Sequence, residues 1–354
     1  MERSELFHLG WDPVWDQVWS ELPELQNSVP GRIQRVERGE CDVFIAHEEA
    51  DVVRAVSDSQ RSQDETAPVT GDWVAVSPGD EDDRWRIDQI LNRRTALVRR
   101  DPGEREEEQP LSANVDVGFL VHGFDRPFRA GKLERFLVLV WHSGATPVVV
   151  LTKADLAESD EIEELRNVVR AVADDVEVII ASSVDGEGLD RIRELLGPNK
   201  SGTLLGESGA GKSTLVNALL GESVQETQEV RRGDSKGRHT TITRDLLVLP
   251  SGGILIDTPG VRAVGLWDAE DALNRVFTDI ITIAEDCRFN DCAHGSEPDC
   301  AVRAAVESGE IDHRRLERFG AMAAELAETQ RRLVERERSQ GSRPRGRRGK
   351  GRRR

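Results

Sequence analysis

The stretch Thr203-Leu-Leu-Gly-Glu-Ser-Gly-Ala-Gly-Lys-Ser-Thr-Leu215 decides how this chain must fold. It fits G-x-x-x-x-G-K-[ST], with Gly206, Glu207, Ser208, Gly209, Ala210 and Gly211 leading to Lys212, Ser213 and Thr214. An apolar strand enters the glycine turn and an apolar helix, Leu215 to Leu220, leaves it. The glycines let backbone N–H groups face phosphate, and the helix amino terminus adds a favourable dipole. Lys212 is placed to neutralise β- and γ-phosphates, and Ser213 to ligate magnesium. A loop of this kind joins a strand and a helix of a mostly parallel α/β sheet.

The segments upstream extend that sheet. Strand patterns at Val115–Val121, Pro147–Leu151 and Val176–Ala181 alternate with helical ones at Gly131–His142, Glu158–Ala173 and Leu189–Leu196. Two loops between them carry chemistry. Thr152-Lys153-Ala154-Asp155 follows a strand and has the form [NT]-K-x-D. A carboxylate at Asp155 accepts from N1–H and the 2-amino group of guanine, two donors that adenine lacks. Lys153 can lay its aliphatic stem along the ring. Ser182 and Ser183 follow the next strand in a stretch that resembles the companion loop by which GTPases contact the base oxygen.

Downstream, Ile254-Leu-Ile-Asp257-Thr-Pro-Gly260 brings Asp257 to the magnesium side, acting through a bound water, and the Gly260 N–H to the γ-phosphate. Between the two phosphate motifs lies Lys236-Gly-Arg-His239-Thr240-Thr241-Ile-Thr243. A threonine here is expected to close on magnesium as a switch, and Thr240 and Thr241 both meet the requirement. Val261 follows Gly260 and cannot orient water, so unaided turnover is expected to be slow. His239 either orients the attacking water, as a catalytic group beside Lys212 and Gly260, or merely packs in the switch.

The order of the motifs is permuted. The ring-reading loops at 152–155 and 182–183 precede the phosphate loop, which precedes both switches. The second switch therefore leads into the carboxy-terminal segment, so switch movement can pull on it.

That segment contains Cys287, Cys292, His294 and Cys300 within fourteen residues. Three thiols and an imidazole at this spacing match a closed tetrahedral zinc site, structural because no coordination position stays open. Its stabilisation is on the order of 10 kcal/mol. Cys41 stands apart and reads as a small buried hydrophobe.

Toward the amino terminus, Trp11, Trp15 and Trp19 are spaced to share one face of a helix over Leu9–Leu22. Short alternating runs at Gly31–Val36, Cys41–Ala46, Asp72–Ser77 and Trp85–Ile90 suit a five-stranded OB-type barrel, either RNA-binding or purely structural. The charged stretch Arg99–Gln109 reads as a linker or loop. Net charge is −18, yet Ser342–Arg354 holds eight Arg or Lys and no acid, an asymmetry that suggests an anionic partner for the tail. No apolar run approaches a membrane span and the first ten residues lack a signal core, so a cytoplasmic protein without membrane attachment is expected.

The motif set resembles the ribosome small-subunit-dependent GTPase A (RsgA) family. Gly206–Ser213 following Thr152–Asp155, Gly237-Arg-His-Thr-Thr241, and Cys287-x4-Cys-x-His-x5-Cys300 carry the resemblance. It implies a late assembly factor of the small (30S) ribosomal subunit whose GTP hydrolysis the particle stimulates, with barrel and zinc lobe on ribosomal RNA. Thr152 stands where asparagine is more usual, and Thr240-Thr-Ile-Thr243 interrupts the family's threonine run. Phosphate contacts would fall to Arg93-Arg94, Arg99-Arg100, Arg231-Arg232 and the tail. The expected architecture is multi-domain: a helix in 1–28, an OB-like barrel over 29–110, a permuted α/β P-loop domain over 111–268, a helical zinc lobe over 269–338 and a basic disordered tail over 339–354. The chain is expected to be monomeric, binding GTP or GDP with magnesium and one structural zinc. A permuted GTPase with another RNA or large-subunit partner, or a nucleotide-gated RNA-binding module, are the competing readings.

Overall fold

The computed structural model describes residues 3–23, 27–37, 39–46, 52–56, 67–79, 84–100, 108–221, 245–256 and 268–341. The chain divides into two compact units, Met1–Val264 and Gly265–Arg354. Among the described residues no helix is long and apolar enough to cross a membrane.

In the first unit, β1 (Val29–Glu37), β2 (Glu40–Ile45), β3 (Val52–Val56), β4 (Trp73–Pro78) and β5 (Trp85–Ile90) close into a barrel in the order β1-β2-β3-β5-β4. Alternation sends Ile33, Val43, Ala55, Val74 and Ile87 into its core. Cys41 lies there too, its thiol pushed up to about 12 by burial, which suits an inert hydrophobe. β3 has no counterpart among the strands expected from sequence: it is five residues long, and only Val53 and Ala55 are buried.

The opposite face of β1 serves another purpose. Arg32 is 1% exposed and donates to the carbonyls of Leu9, Gly71 (3.3 Å) and Asn114 (3.0 Å) and to Ser201 Oγ (2.8 Å). One guanidinium thus ties the amino-terminal segment, the barrel and the neighbouring sheet. Burial lowers its pKa to about 10, still charged at neutral pH. Arg32→Met keeps the stem but orphans several buried acceptors, and should cost about 3 kcal/mol. Urea denaturation should show a lower midpoint at unchanged slope; an unmoved midpoint contradicts this role. A register shift between Ile33 and Arg35 also turns Arg35 outward, where it pairs with Asp245 at 2.5 and 2.8 Å.

The tryptophans pack as a cluster, but not on one helix. Asp12 accepts from Val14 and Trp15 N–H, both at 3.0 Å, and starts α1 (Pro13–Ser20) with proline in its first turn. Trp11 therefore precedes the helix, after a 3-10 turn over Arg3–Leu9, and its ring meets Trp73 edge-on at 4.8 Å. Both arginines of the dyad Arg93-Arg94 are paired with carboxylates of this unit. Arg93 forks onto buried Asp72 (both 2.7 Å), and Arg94 forks onto Asp12 (both 2.7 Å) while lying 4.0 Å from the Trp15 ring centroid. These two arginines are structural ion pairs rather than a patch for phosphate.

A two-stranded ribbon follows, β6 (Ala96–Arg100) against β7 (Glu108–Ala113). The stretch read as a linker thus begins and ends in paired backbone. Buried Leu97, Leu111 and Ala113 anchor the ribbon, and backbone pairing does not require apolar side chains at its far end.

The α/β sheet runs β10-β9-β8-β11-β13-β12. Its strands are β8 (Val117–Gly123), β9 (Thr146–Thr152), β10 (Glu177–Ala181), β11 (Ser201–Leu205), β12 (Leu246–Val248) and β13 (Ile254–Ile256), all parallel except β12. Helices α2 (Ala130–Ser143), α3 (Ser159–Val172), α4 (Leu189–Leu196) and α5 (Lys212–Leu220) connect them. Val150, Leu204, Leu215 and Leu255 belong to one core between sheet and helices. The loops after β8, β9, β10 and β11 leave the carboxyl ends of parallel strands, where α/β sheets bind ligands.

The second unit holds α6 (Glu270–Val276), α7 (Thr278–Ala284), α8 (Ala301–Ser308) and α9 (His313–Gly341). Phe277, Ile280 and Val302 are fully buried. Arg315 of α9 forks onto Asp279 at 2.6 and 2.9 Å and bonds the Val276 carbonyl at 2.9 Å, fastening α9 to α6 and α7.

Candidate functional site

The loop from β11 to α5 has the geometry that its glycines announce. Gly206 has φ +153°, and a Cβ there would sit 2.3 Å from the Val121 carbonyl oxygen of β8. Gly211 has φ +92°, and its Cβ would lie 3.0 Å from Thr152 Oγ1. A side chain at either position would push neighbouring strand and loop out of place. Lys212 opens α5, and its ammonium donates to the carbonyls of Gly206 (2.8 Å) and Glu207 (2.7 Å). Ser213 is partly exposed and Thr214 exposed on the same first turn, while Ala210 is buried beneath it. Glu207 pairs with Lys132 of α2, which holds its carboxyl below the usual range.

The loop after β9 is joined to this one. Thr152 Oγ1 donates to the Ala210 carbonyl at 2.6 Å, with the His122 carbonyl farther off at 3.2 Å. The hydroxyl has one proton, and the shorter of the two bonds ties this loop to the phosphate loop. Lys153 adopts φ +63° and donates to the Gly209 carbonyl at 3.0 Å. Ala154 is buried and Asp155 is exposed at the loop tip. Asp155 Oδ1 lies 2.9 Å from Ser182 Oγ, whose one proton can alternatively serve Asp185 at 3.1 Å.

Ser182 is fully buried, and its hydroxyl also accepts from the N–H groups of Val184 (3.3 Å) and Asp185 (3.1 Å). Its hydroxyl thus bonds both Asp155 and the backbone of its own loop. Of the pair, Ser183 is the partly exposed one.

Two residues absent from the motif list stand between these loops. Asp125 and Arg126 follow β8, and Asp125 bonds both Arg126 (3.1 and 3.2 Å) and Lys153 (2.7 Å). The Arg126 guanidinium, then the Lys153 ammonium, draw the Asp125 carboxyl down to about 2. Recognising them from sequence requires the strand order, which no motif supplies. His239, Thr240, Thr241, Asp257 and Gly260 lie outside the described residues, as do Val261 and Arg231-Arg232.

The structure also brings together the four candidate zinc ligands. One donor atom each from Cys287, Cys292, His294 and Cys300 falls within 4.8 Å of the others. Cys287 Sγ is 3.8 Å from Cys300 Sγ and 3.7 Å from His294 Nδ1, and Cys300 Sγ is 3.5 Å from that nitrogen. A tetrahedral zinc bonded at about 2.3 Å to sulfur and about 2.0 Å to nitrogen separates its ligand atoms by about 3.5–3.8 Å. Donor set and spacing both fit zinc. His294 reaches its position through φ +57°, and Cys300 directly precedes α8.

Residues 90–267 match the family model described as RsgA GTPase. Two curated proteins named small ribosomal subunit biogenesis GTPase RsgA resemble the chain along most of its length. That of Streptomyces coelicolor is 46% identical over 91% of this chain and 87% of its own. That of Leptospira interrogans is 38% identical, over 92% and 89%. Among solved structures, YjeQ from Thermotoga maritima superposes with TM-score 0.61 and 27% identity, over 85% of this chain and 99% of that one. YloQ, a circularly permuted GTPase, does so with TM-score 0.60 and 25% identity, over 87% and 98%.

Proposed function

This chain belongs to the RsgA GTPase family, and from that premise we propose that it hydrolyses GTP to GDP and phosphate on the small ribosomal subunit, late in the subunit's assembly. The observation that carries the nucleotide half of this reading is the 2.6 Å bond between Thr152 and the Ala210 carbonyl. It joins a loop suited to reading a purine ring to a loop suited to gripping phosphates, although 58 residues separate them. The names of the curated relatives support the ribosomal half.

In this reading Asp155, oriented by Ser182, accepts from the guanine edge, Lys153 covers the ring and Ser183 meets the base oxygen. Backbone N–H groups of 206–214 hold the phosphates, and Lys212 balances their charge. Ser213, Asp257 through water, and Thr240 or Thr241 would hold magnesium, which would supply charge neutralisation at the phosphates. Gly260 would donate to the γ-phosphate, and His239 would orient water for in-line attack. The Cys287, Cys292, His294 and Cys300 donors would hold a structural zinc. The domain limits at 28, 110, 268 and 338, a monomeric state and a cytoplasmic setting belong to the same proposal. With Arg93 and Arg94 committed internally, RNA contact falls to other basic residues.

GTP turnover with purified small and large subunits tests the assignment. Acceleration of at least about tenfold by the small subunit is expected. Acceleration by the large subunit alone contradicts the partner, and none from either points to a nucleotide-gated binder.

A further inference from the structure

The strand order β9-β8-β11 sets the turn after β8 between the ring-reading loop and the phosphate loop. Arg126, in that turn, donates from Nη1 to the Ser208 carbonyl at 2.7 Å and from Nη2 to the Gly209 carbonyl at 2.6 Å. Asp125 holds the guanidinium from its other edge and Lys153 beside it, and Lys153 shares the Gly209 carbonyl.

The peptide unit is planar, so a carbonyl drawn one way turns the next N–H the other way. With the oxygens of Ser208 and Gly209 facing Arg126, the Gly209 N–H turns to the opposite side, while the Ala210 N–H closes a turn onto the Glu207 carbonyl at 3.2 Å. A backbone amide so aimed, with Gly209 at φ +79° and the amino terminus of α5 beside it, offers donors to an anion. We propose that Arg126 is a positioning residue for nucleotide binding, holding the phosphate loop with its amides turned toward the diphosphate. The fork does it with two fixed bonds, which a lysine head, a single rotating point charge, reproduces only in part. Asp125 stays ionised at every working pH, so this brace is not a pH switch. The inference rests on the reading of Gly206–Thr214 as a phosphate site, and is independent of which base is read.

The test is titration of the full chain with fluorescent GDP, GTP and ADP analogues, together with steady-state GTP turnover. Arg126→Ala should weaken GDP and GTP alike by about tenfold, from the loss of two charge-assisted bonds. KM should rise by a similar factor while kcat at saturation stays within about twofold, the split expected of lost binding in ground and transition states alike. Arg126→Lys should recover an intermediate affinity. GDP affinity within about twofold of the parent in Arg126→Ala overturns the proposal, as does a loss confined to kcat. If that variant does not fold, Asp125→Asn, which loosens the fork, should weaken GDP by about threefold, and unchanged affinity overturns the proposal. Equal affinity of the parent for ADP and GDP would instead count against the ring reading alone, because both carry the same diphosphate.

Discussion

Lys212→Ala is expected to abolish nucleotide binding. The ammonium stands at the first residue of α5 and bridges the carbonyls of Gly206 and Glu207, spanning the mouth of the loop. From there it is the loop's own counter-charge to a polyphosphate. A pair of unit charges about 4 Å apart at an effective dielectric of about 20 is worth about 4 kcal/mol. That corresponds to roughly a thousandfold in affinity. The two bonds to loop carbonyls are worth far less to the fold, about 1 kcal/mol each. The variant should therefore melt close to the parent in the absence of nucleotide yet show no saturable GDP binding at a hundred times the parent's Kd. A Kd within about tenfold of the parent would place the phosphates elsewhere.

Removing the zinc ligands should have an effect of comparable size on the second unit. α7 ends at Ala284 and α8 begins at Ala301, and neither helix nor strand fills the residues between them. Cys287 and Cys300 close that span at its two ends, and Cys300 directly precedes α8, whose Val302 is fully buried. Without a metal, three thiols and an imidazole, all within 4.8 Å, gain little from one another. With it, apparent binding energies of about 10 kcal/mol are usual, as large as the stability of a whole domain. Cys300→Ser, or exhaustive chelation, should release one zinc per chain and remove the helical signal of residues 270–308 well below the melting temperature of the intact protein. Absence of bound zinc in freshly purified protein, or an unfolding curve indifferent to chelator, would contradict the assignment. GDP binding should survive removal of zinc when magnesium is kept in excess, because every described residue of the nucleotide site lies within Met1–Val264.

How much of this was legible in the sequence depended on where the determining physics lay. The phosphate loop, Thr152–Asp155 and the cysteine cluster were legible because each is a local pattern whose spacing is its chemistry. The helices Leu189–Leu196 and Ser159–Val172 were legible for the same reason, having an apolar face at helical period. Short strands with few apolar residues were not. β12 has three residues and the ribbon of β6 and β7 carries charge at its far end, so backbone pairing rather than side-chain pattern makes them strands. Trp11 was read as helical from its spacing, but Asp12 and Pro13 start the helix after it, and the indole reaches its cluster from an irregular segment. The dyad Arg93-Arg94 shows the limit for charge: its partners Asp72 and Asp12 are 21 and 82 residues away, so only the fold reveals that both charges are spent. Thr152 went the other way. It departs from the asparagine more usual there, and only the fold shows that its hydroxyl bonds the Ala210 carbonyl.

Guanine selectivity depends most on Asp155 reading the purine edge. In Asp155→Asn the acceptor carboxylate becomes an amide whose NH2 can donate, which suits the 2-oxo group of xanthine and no longer suits the 2-amino group of guanine. Calorimetric titration of parent and variant with GDP and xanthosine diphosphate measures this directly. The parent should prefer GDP by at least about a hundredfold and the variant should reverse the preference, because leaving buried donors or acceptors unmatched discriminates strongly. A variant that keeps the parent's preference for GDP would show that the ring is held by some other part of the molecule.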